Sequence, residues 1–140
     1  MRSAALCLGY GSMSSSFATM SLADAPEVTA PDGSVVRPLC SLPGVASFAH
    51  FELAPEQVSQ AVSHATVQEI WYVVAGGGQM WREDGNRESV DELAPGVCLT
   101  IPLGTSFQFR AGADGLRVVA VTAPPWPDDP AEARQQAGPW

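Results

Sequence analysis

Two residues stand out for the chemistry that they can do, an imidazole and a carboxylate separated by a short stretch of chain. His64 and Glu69 both lie in segments rich in β-branched and aromatic residues. A carboxylate beside an imidazole selects its tautomer and raises its pKa, whereas burial among apolar side chains lowers that pKa. Such a pair moves protons, for example as a general base toward a proton next to a carbonyl group. The residues alone leave open which influence on the pKa dominates.

The composition removes several other chemistries. The 140-residue chain has seven arginines, no lysine and two histidines, so a lysine Schiff base, a P-loop and a three-histidine metal site within one chain are excluded. The formal net charge of -8 argues against nucleic-acid and anionic membrane partners. Cys7, Cys40 and Cys98 lack the spacing of a metal ribbon or a disulfide framework. We therefore expect reduced thiols and a cytoplasmic location.

Short β-type segments separated by turn residues follow one another from Val35 to Thr122. We predict nine strands and no helix, which indicates an all-β sandwich or barrel. Turns are predicted at 76–78, 84–86 and 112–115, where glycine, asparagine and aspartate cluster. We expect three parts: a flexible N-terminal segment over 1–33, a barrel over 34–123, and a proline-rich tail over 124–140 packed on or beside the barrel.

Two segments of the chain resemble the two sequence motifs of the cupin superfamily, G-x5-H-x-H-x4-E-x6-G and G-x5-P-x-G-x2-H-x3-N. Six residues fall in register with these motifs: His64, Glu69, Gly76, Gly96, Pro102 and Gly104. The resemblance implies a small jelly-roll β-barrel (a double-stranded β-helix) that is usually a dimer, with a ligand pocket at its mouth. In that family two histidines, the glutamate and a third histidine commonly hold one metal ion.

The chain departs from the motifs at the metal ligands. Val62 stands at the first histidine position and Phe107 at the histidine position of the second motif, so His64 and Glu69 are the usual ligands that remain. Two ligands hold a divalent metal ion weakly, because transition-metal enzymes generally use three or more. We therefore favour no cofactor, and His50 is predicted to face away from the barrel interior. Glu56 replaces the glycine that opens the first motif.

Alternation along the strands gives the pair an apolar setting. Val62 and His64 share one face of their strand, and Glu69 and Trp71 share one face of the next. If the motif register holds, His64 and Glu69 point into one cavity. The predicted ligand-binding residues are Val62, Trp71, Trp81, Phe107 and Phe109.

Three functions remain open for this cavity. The first is a metal-poor isomerase, epimerase or lyase in which His64 is the acid/base and Glu69 orients it. The second is a metabolite-binding or accessory protein without turnover. The third is a metal-dependent enzyme with an atypical shell, in which Gln60 or Gln108 joins the pair. The predicted partners are a small-molecule ligand and a second copy of the chain.

Overall fold

The computed structural model describes residues 16–140, so Cys7 and the first part of the predicted flexible segment lie outside the described residues. Within 16–140 the chain forms nine strands and two short 3-10 helices, Leu22–Asp24 and Pro130–Glu132. The strands are β1 Val28–Thr29, β2 Val35–Leu42, β3 Ala46–Leu53, β4 Val62–His64, β5 Gln68–Glu83, β6 Glu88–Leu93, β7 Cys98–Ile101, β8 Ser106–Ala123 and β9 Ala133–Gln135. The all-β prediction is confirmed. No helix in this range has the length and hydropathy needed to cross a membrane.

The strands form a continuous sheet that curls over on itself. One half has the order β1-β2-β3-β8-β5-β7, and the other has the order β9-β4-β8-β5-β6. Strands β5 and β8 belong to both halves because they are 16 and 18 residues long. The two halves enclose an apolar core that includes Phe51, Trp71, Met80, Phe107 and Phe109.

The segments 76–78 and 112–115 lie inside β5 and β8, so the two turns predicted there are wrong. Gly76 has a φ of 75°, and a Cβ atom at this position would overlap the carbonyl oxygen of Gly115. The register between the two strands shifts beside this point. Glycine therefore serves here to let two backbones approach and bend together, and the chain does not reverse. The predicted turn at 84–86 does join β5 to β6.

Both segments outside the predicted barrel add strands to it. Near the N-terminal side, Val28 of β1 pairs with Val36 of β2. In the tail, β9 pairs with β4, with Ala133 opposite His64. Residues 28–29 therefore extend the barrel wall, although the sequence predicts a flexible segment up to residue 33. The tail likewise contributes a strand beside the candidate catalytic histidine.

The strand that carries His64 is shorter than predicted. The apolar pattern predicts a strand over Val58–Ala65, whereas β4 covers Val62–His64 and Val58 makes an isolated bridge to Arg110. Three residues separate the end of β4 from the start of β5, which begins at Gln68. This tight connection brings His64 and Glu69 to the same end of the two strands.

We predict that Gly76→Ala destabilises the protein far more than Gly44→Ala. Both glycines have a left-handed backbone, with φ of 75° and 73°, but a Cβ atom at Gly44 meets nothing within 4 Å. Alanine at Gly44 should cost about 1 kcal/mol of unfolding free energy, from backbone strain alone. Alanine at Gly76 should cost about 3 kcal/mol or more, because the paired backbones of β5 and β8 must also move apart. Denaturant titration of the two variants measures both losses, and equal losses would show that the close approach of these backbones is not what requires glycine.

Candidate functional site

A small cavity lies between the two halves of the sheet, beside the connection from β4 to β5. Its lining comes from the loop after β1, from the barrel strands and from the tail. The lining residues are Ala30, Pro31, Asp32, Val36, Phe51, Val62, His64, Glu69, Trp71, Phe107, Trp126 and Ala133. The free space measures about 20 Å³, which is room for about one water molecule.

Five of the predicted site residues come together in this cavity: Val62, His64, Glu69, Trp71 and Phe107. Val62 lies opposite Phe107 in the β4–β8 pairing, so the two positions that lack the motif histidines are direct neighbours. The ring of Phe107 packs edge-on against His64, at 5.3 Å between centroids. The structure thus surrounds the polar pair with aromatic and aliphatic side chains.

Two predicted ligand-binding residues lie elsewhere. Phe109 packs behind the cavity against Trp71, with 4.9 Å between the ring centroids, and does not line it. Trp81 is also absent from the lining, and its indole Nε1 donates a hydrogen bond to Glu88 at 2.8 Å. The physical reason is the bend in β5, because a one-residue slip exchanges the two faces of a strand. Before the bend Trp71 faces the core, and after it Met80 does so.

His64 and Glu69 are buried side by side, 7% and 5% exposed. Nδ1 of His64 lies 3.4 Å from Oε1 of Glu69, but the angles do not make a hydrogen bond, and this nitrogen has no partner. Oε2 of Glu69 accepts a hydrogen bond from Nε1 of Trp71, two residues along the same strand face. The glutamate is therefore positioned by the tryptophan and not by the histidine.

Burial controls the protonation of both groups. It raises the pKa of Glu69 to about 8, and the nearby Asp32 and Glu132 carboxylates add to this rise although the Trp71 hydrogen bond opposes it. Burial lowers the pKa of His64 to about 4, with a smaller opposing effect of Glu132. At neutral pH the carboxyl group of Glu69 is consequently protonated, and the imidazole of His64 beside it is uncharged. This answers the question that the sequence left open, because burial outweighs the attraction between the two groups.

Sequence reasoning missed three residues around this pair, Asp32, Trp126 and Glu132. Asp32 accepts hydrogen bonds from the backbone N and the Oγ of Ser34, at 2.9 and 2.6 Å, and burial raises its pKa. Trp126 packs edge-on against His64, at 5.0 Å between ring centroids, and its buried Nε1 has no hydrogen-bond partner. The sequence shows these residues only as part of a turn and of a proline-rich tail, and no periodic pattern indicates that Asp32 and Glu132 are buried or that Trp126 packs half-buried against the core.

Glu132 fastens the tail to the three-residue connection between β4 and β5. Its carboxylate accepts hydrogen bonds from the backbone N of Thr66, from the Oγ1 of Thr66 and from the backbone N of Val67, at 2.9, 2.7 and 2.9 Å. Its backbone carbonyl accepts a further bond from Ala65 at 2.8 Å. The side chain is 2% exposed, so these bonds replace water around the carboxylate.

The residues present do not fit the metal ion that the motif resemblance implies. Val62 and Phe107 have no lone pairs to donate, and no group of three or more His, Cys, Asp or Glu residues within 16–140 is arranged to hold a metal ion. The two glutamines considered as substitutes are engaged elsewhere. Gln108 bonds to Ser59 and Trp140, and Gln60 bonds to Gln135. His50 faces Glu52, Arg37 and Arg117 and does not line the cavity.

The backbone at Glu56 retains the conformation of the residue that the motif expects. Its φ is 62°, in the left-handed region that glycine adopts most easily. The backbone N of Glu56 donates a hydrogen bond to the carbonyl oxygen of Gly112 at 3.0 Å, which ties this turn to β8. The departure from the motif therefore changes the side chain and not the local backbone.

We predict that Glu69→Gln removes a fall in stability between pH 6.5 and 8. The pKa of Glu69 is raised from 4.5 in the unfolded chain to about 8 in the fold, so its contribution is fully present below pH 4.5 and lost as the pH rises to 8. The lowered pKa of His64 changes stability only below its ordinary value of 6.5. Above that value the wild type should lose about 1 to 2 kcal/mol relative to the variant, whose amide oxygen still accepts from Trp71. Denaturant titrations across this range measure the difference, and parallel curves would contradict a protonated Glu69.

Proteins of known structure share this fold. No family model and no curated protein sequence matches this chain. Among solved structures, KdgF from Halomonas sp. has a TM-score of 0.67 at 16% identity, over 78% of this chain and 94% of that protein. A variant of Streptomyces PAC13, solved with uridine, has a TM-score of 0.68 at 13% identity, over 87% of this chain and 92% of that protein.

A third neighbour, a tryptophan-to-phenylalanine variant of Bacillus subtilis oxalate decarboxylase, has a TM-score of 0.68 at 15% identity over 86% of this chain. The match covers 33% of that protein, so this chain corresponds to about one third of its length. All three neighbours are cupin-fold proteins. The two motifs, the curled sheet and these neighbours agree, and the chain has the fold of the cupin superfamily.

Proposed function

We propose that this chain is an enzyme that moves a proton next to the carbonyl group of a small molecule, with His64 as the base and Glu69 as the acid. The observation that carries this proposal is the buried pair itself. The two groups lie 3.4 Å apart in an apolar cavity, and burial moves their pKa values in opposite directions, to about 4 and about 8. Pairs of titratable groups with pKa values moved in this way are typical of acid–base sites.

The chemistry follows from the protonation states. An uncharged His64 takes the proton from the carbon next to the carbonyl, and the electron pair of that C–H bond becomes the double bond of an enol. Glu69, which carries a proton at neutral pH, gives it to the carbonyl oxygen. Return of the proton from His64 to the original carbon and of the enol proton to Glu69 restores the substrate with its hydrogen exchanged. Where that carbon carries a hydroxyl group, transfer of the hydroxyl proton to Glu69 and of the His64 proton to the former carbonyl carbon gives the isomeric carbonyl compound. Glu69 is thus a proton donor, which differs from the orienting role expected from the sequence.

Substrate access requires the cover of the cavity to move. The free space of about 20 Å³ is smaller than any carbonyl compound, and Trp126 from the tail and Pro31 from the loop after β1 form part of its boundary. Loop and lid movements of this kind commonly accompany binding and release. Two solved neighbours support small-molecule chemistry in this fold, since one is named as an oxalate decarboxylase and another was solved with uridine. Those ligands are properties of the neighbours alone.

The buried and unpartnered Nδ1 of His64 and Nε1 of Trp126 also suit a second candidate, a metabolite-binding protein without turnover. In that case His64 and Glu69 would recognise a ligand and exchange no carbon-bound proton. The two candidates differ in one observable, which is hydrogen exchange at the carbon next to the carbonyl. The homodimer and the cytoplasmic location stay predictions.

We predict that His64→Gln abolishes hydrogen exchange on the substrate. Small uncharged aldehydes and ketones are incubated with the protein in deuterated water, and deuterium at the carbon next to the carbonyl is followed by NMR. Loss of the base should slow exchange by about 100-fold or more. His50→Gln is the matched control, because His50 is also buried with an unpartnered Nδ1 but lies outside the cavity. Undiminished exchange in His64→Gln would refute the assignment of the base, and ligand binding without any exchange in the wild type would support the second candidate.

The rate of exchange should show a bell-shaped dependence on pH. Below pH about 4 His64 becomes protonated and cannot accept a proton, so the rate falls. Above pH about 8 Glu69 ionises and cannot donate one, so the rate falls again. The profile of kcat/KM against pH for the wild type measures both limits, because this ratio reports the ionisation of the free enzyme. An alkaline limb that persists unchanged in Glu69→Gln would contradict the role of Glu69 as the acid.

A further inference from the structure

The charges around the cavity restrict what can bind there. Two carboxyl groups, Asp32 and Glu69, line it, and a third, Glu132, lies close enough to affect the ionisation of Glu69. The chain has no lysine, and no arginine within residues 16–140 lines the cavity. A carboxylate or phosphate entering this space would place a negative charge beside buried acids that are neutral only when protonated, with no cation to balance it. Such burial is strongly unfavourable.

The polar atoms of the cavity that lack hydrogen-bond partners indicate which kind of ligand the site can bind instead. Nε1 of Trp126 and Nδ1 of His64 are both buried without a hydrogen-bond partner, and their rings pack edge-on at 5.0 Å. An indole N–H can only donate, so Trp126 requires an acceptor atom. An uncharged carbonyl or hydroxyl oxygen supplies an acceptor without adding charge, and the space for one water molecule lies beside these groups.

The position of Trp126 is held by contacts on either side of it in the fold. Its backbone N donates to the Oγ of Ser47 at 3.0 Å. Farther along the tail, the Glu132 carboxylate accepts the bonds from Thr66 and Val67 described above. The exposed residues 128–131 connect these two anchors. The tryptophan is therefore placed against His64 by fixed points on the barrel, and a ligand larger than water enters when its side chain moves.

We propose that this site binds an uncharged carbonyl compound, whose oxygen accepts a hydrogen bond from the indole N–H of Trp126, and that it rejects carboxylates and phosphates. This inference rests on the proposed function, because it concerns the substrate class of the same cavity. Trp126 is a specificity residue in this scheme, and Asp32 is the acid in the lining that would have to be protonated when an anion is bound.

Acetamide and acetate are suitable probes, since they have nearly the same shape and differ in charge. Each is titrated at neutral pH into the full-length protein, and the indole N–H signals of the tryptophans are followed by NMR. Trp126→Phe identifies the signal of Trp126, because it keeps an aromatic ring and removes the N–H group. The signals of Trp81 and Trp140 are internal controls, since Trp81 bonds to Glu88 and Trp140 packs on Arg110, away from the cavity.

Acetamide should shift the Trp126 signal at concentrations about tenfold or more below those required for acetate. Asp32→Asn should strengthen acetate binding and so reduce the preference for acetamide. Acetate binding as tightly as acetamide would overturn the proposal, and so would the absence of any Trp126 shift with acetamide. Both hydrogen bonds from Ser34 go to Oδ1 of Asp32, and asparagine keeps this acceptor. If the variant nevertheless fails to fold, the comparison of acetamide with acetate on the wild-type protein decides between the outcomes.

The two proposals fail in different ways. If acetamide binds at Trp126 but no carbonyl substrate undergoes hydrogen exchange, the proposed reaction is refuted and the proposed ligand class is retained. If a charged substrate such as a 2-oxo acid undergoes exchange that depends on His64, the ligand class is refuted and the proposed reaction is retained.

Discussion

Burial of the Glu69 carboxyl beside His64 is the constraint on which the site depends. A carboxylate in an apolar cavity needs a counter-charge, a metal ion or a proton. Here no arginine or lysine from the described chain is in the lining, and the positions that would supply further metal ligands hold Val62 and Phe107. The proton is therefore the remaining way to neutralise the carboxyl within this set of side chains. It turns the glutamate into a donor and leaves the imidazole uncharged.

The rest of the fold buries this pair and keeps the two side chains next to each other. β5 begins with Glu69 and Trp71 on the core face, and it then bends at Gly76 to enter the second half of the sheet. The same bend places Met80 in the main core cluster, whereas Trp81 is buried outside that cluster and bonds to Glu88. The close approach of two backbones at the bend thus determines which aromatic side chains surround the carboxyl and which pack away from it.

The cavity is completed by segments that do not belong to the motif-bearing strands. Asp32 comes from the loop after β1, whereas Trp126 and Glu132 come from the tail. Each carries a polar group to the edge of an apolar space, and Glu132 replaces lost hydration with bonds to Thr66 and Val67. The boundary of the cavity and the acidic groups around it therefore come from the segments before and after the motif-bearing strands as well as from those strands.

The residue pattern was sufficient for the fold and for the first members of the site. Turn residues and β-type segments indicate an all-β chain, and two motif spacings place Val62, His64, Glu69 and Phe107 around one interior. These features are local or repeat at short intervals, so they can be read from neighbouring residues. The same local interpretation predicted a turn at Gly76, because a glycine inside a pair of closely approaching strands and a glycine in a hairpin turn look alike in sequence.

Tertiary structure alone decided the protonation of the pair and the identity of its cover. Burial depends on side chains from distant strands. It raises the pKa of Glu69 to about 8 and lowers the pKa of His64 to about 4, whereas the sequence left the direction of the shift for the histidine open. Trp126 reaches His64 across 62 positions of chain through contacts with Ser47 and through the Glu132 anchor. No periodicity encodes such contacts, since they depend on where an irregular tail meets a folded surface. The sequence thus determined which chemical groups are available, and the three-dimensional packing determined their charge, their neighbours and their access to water.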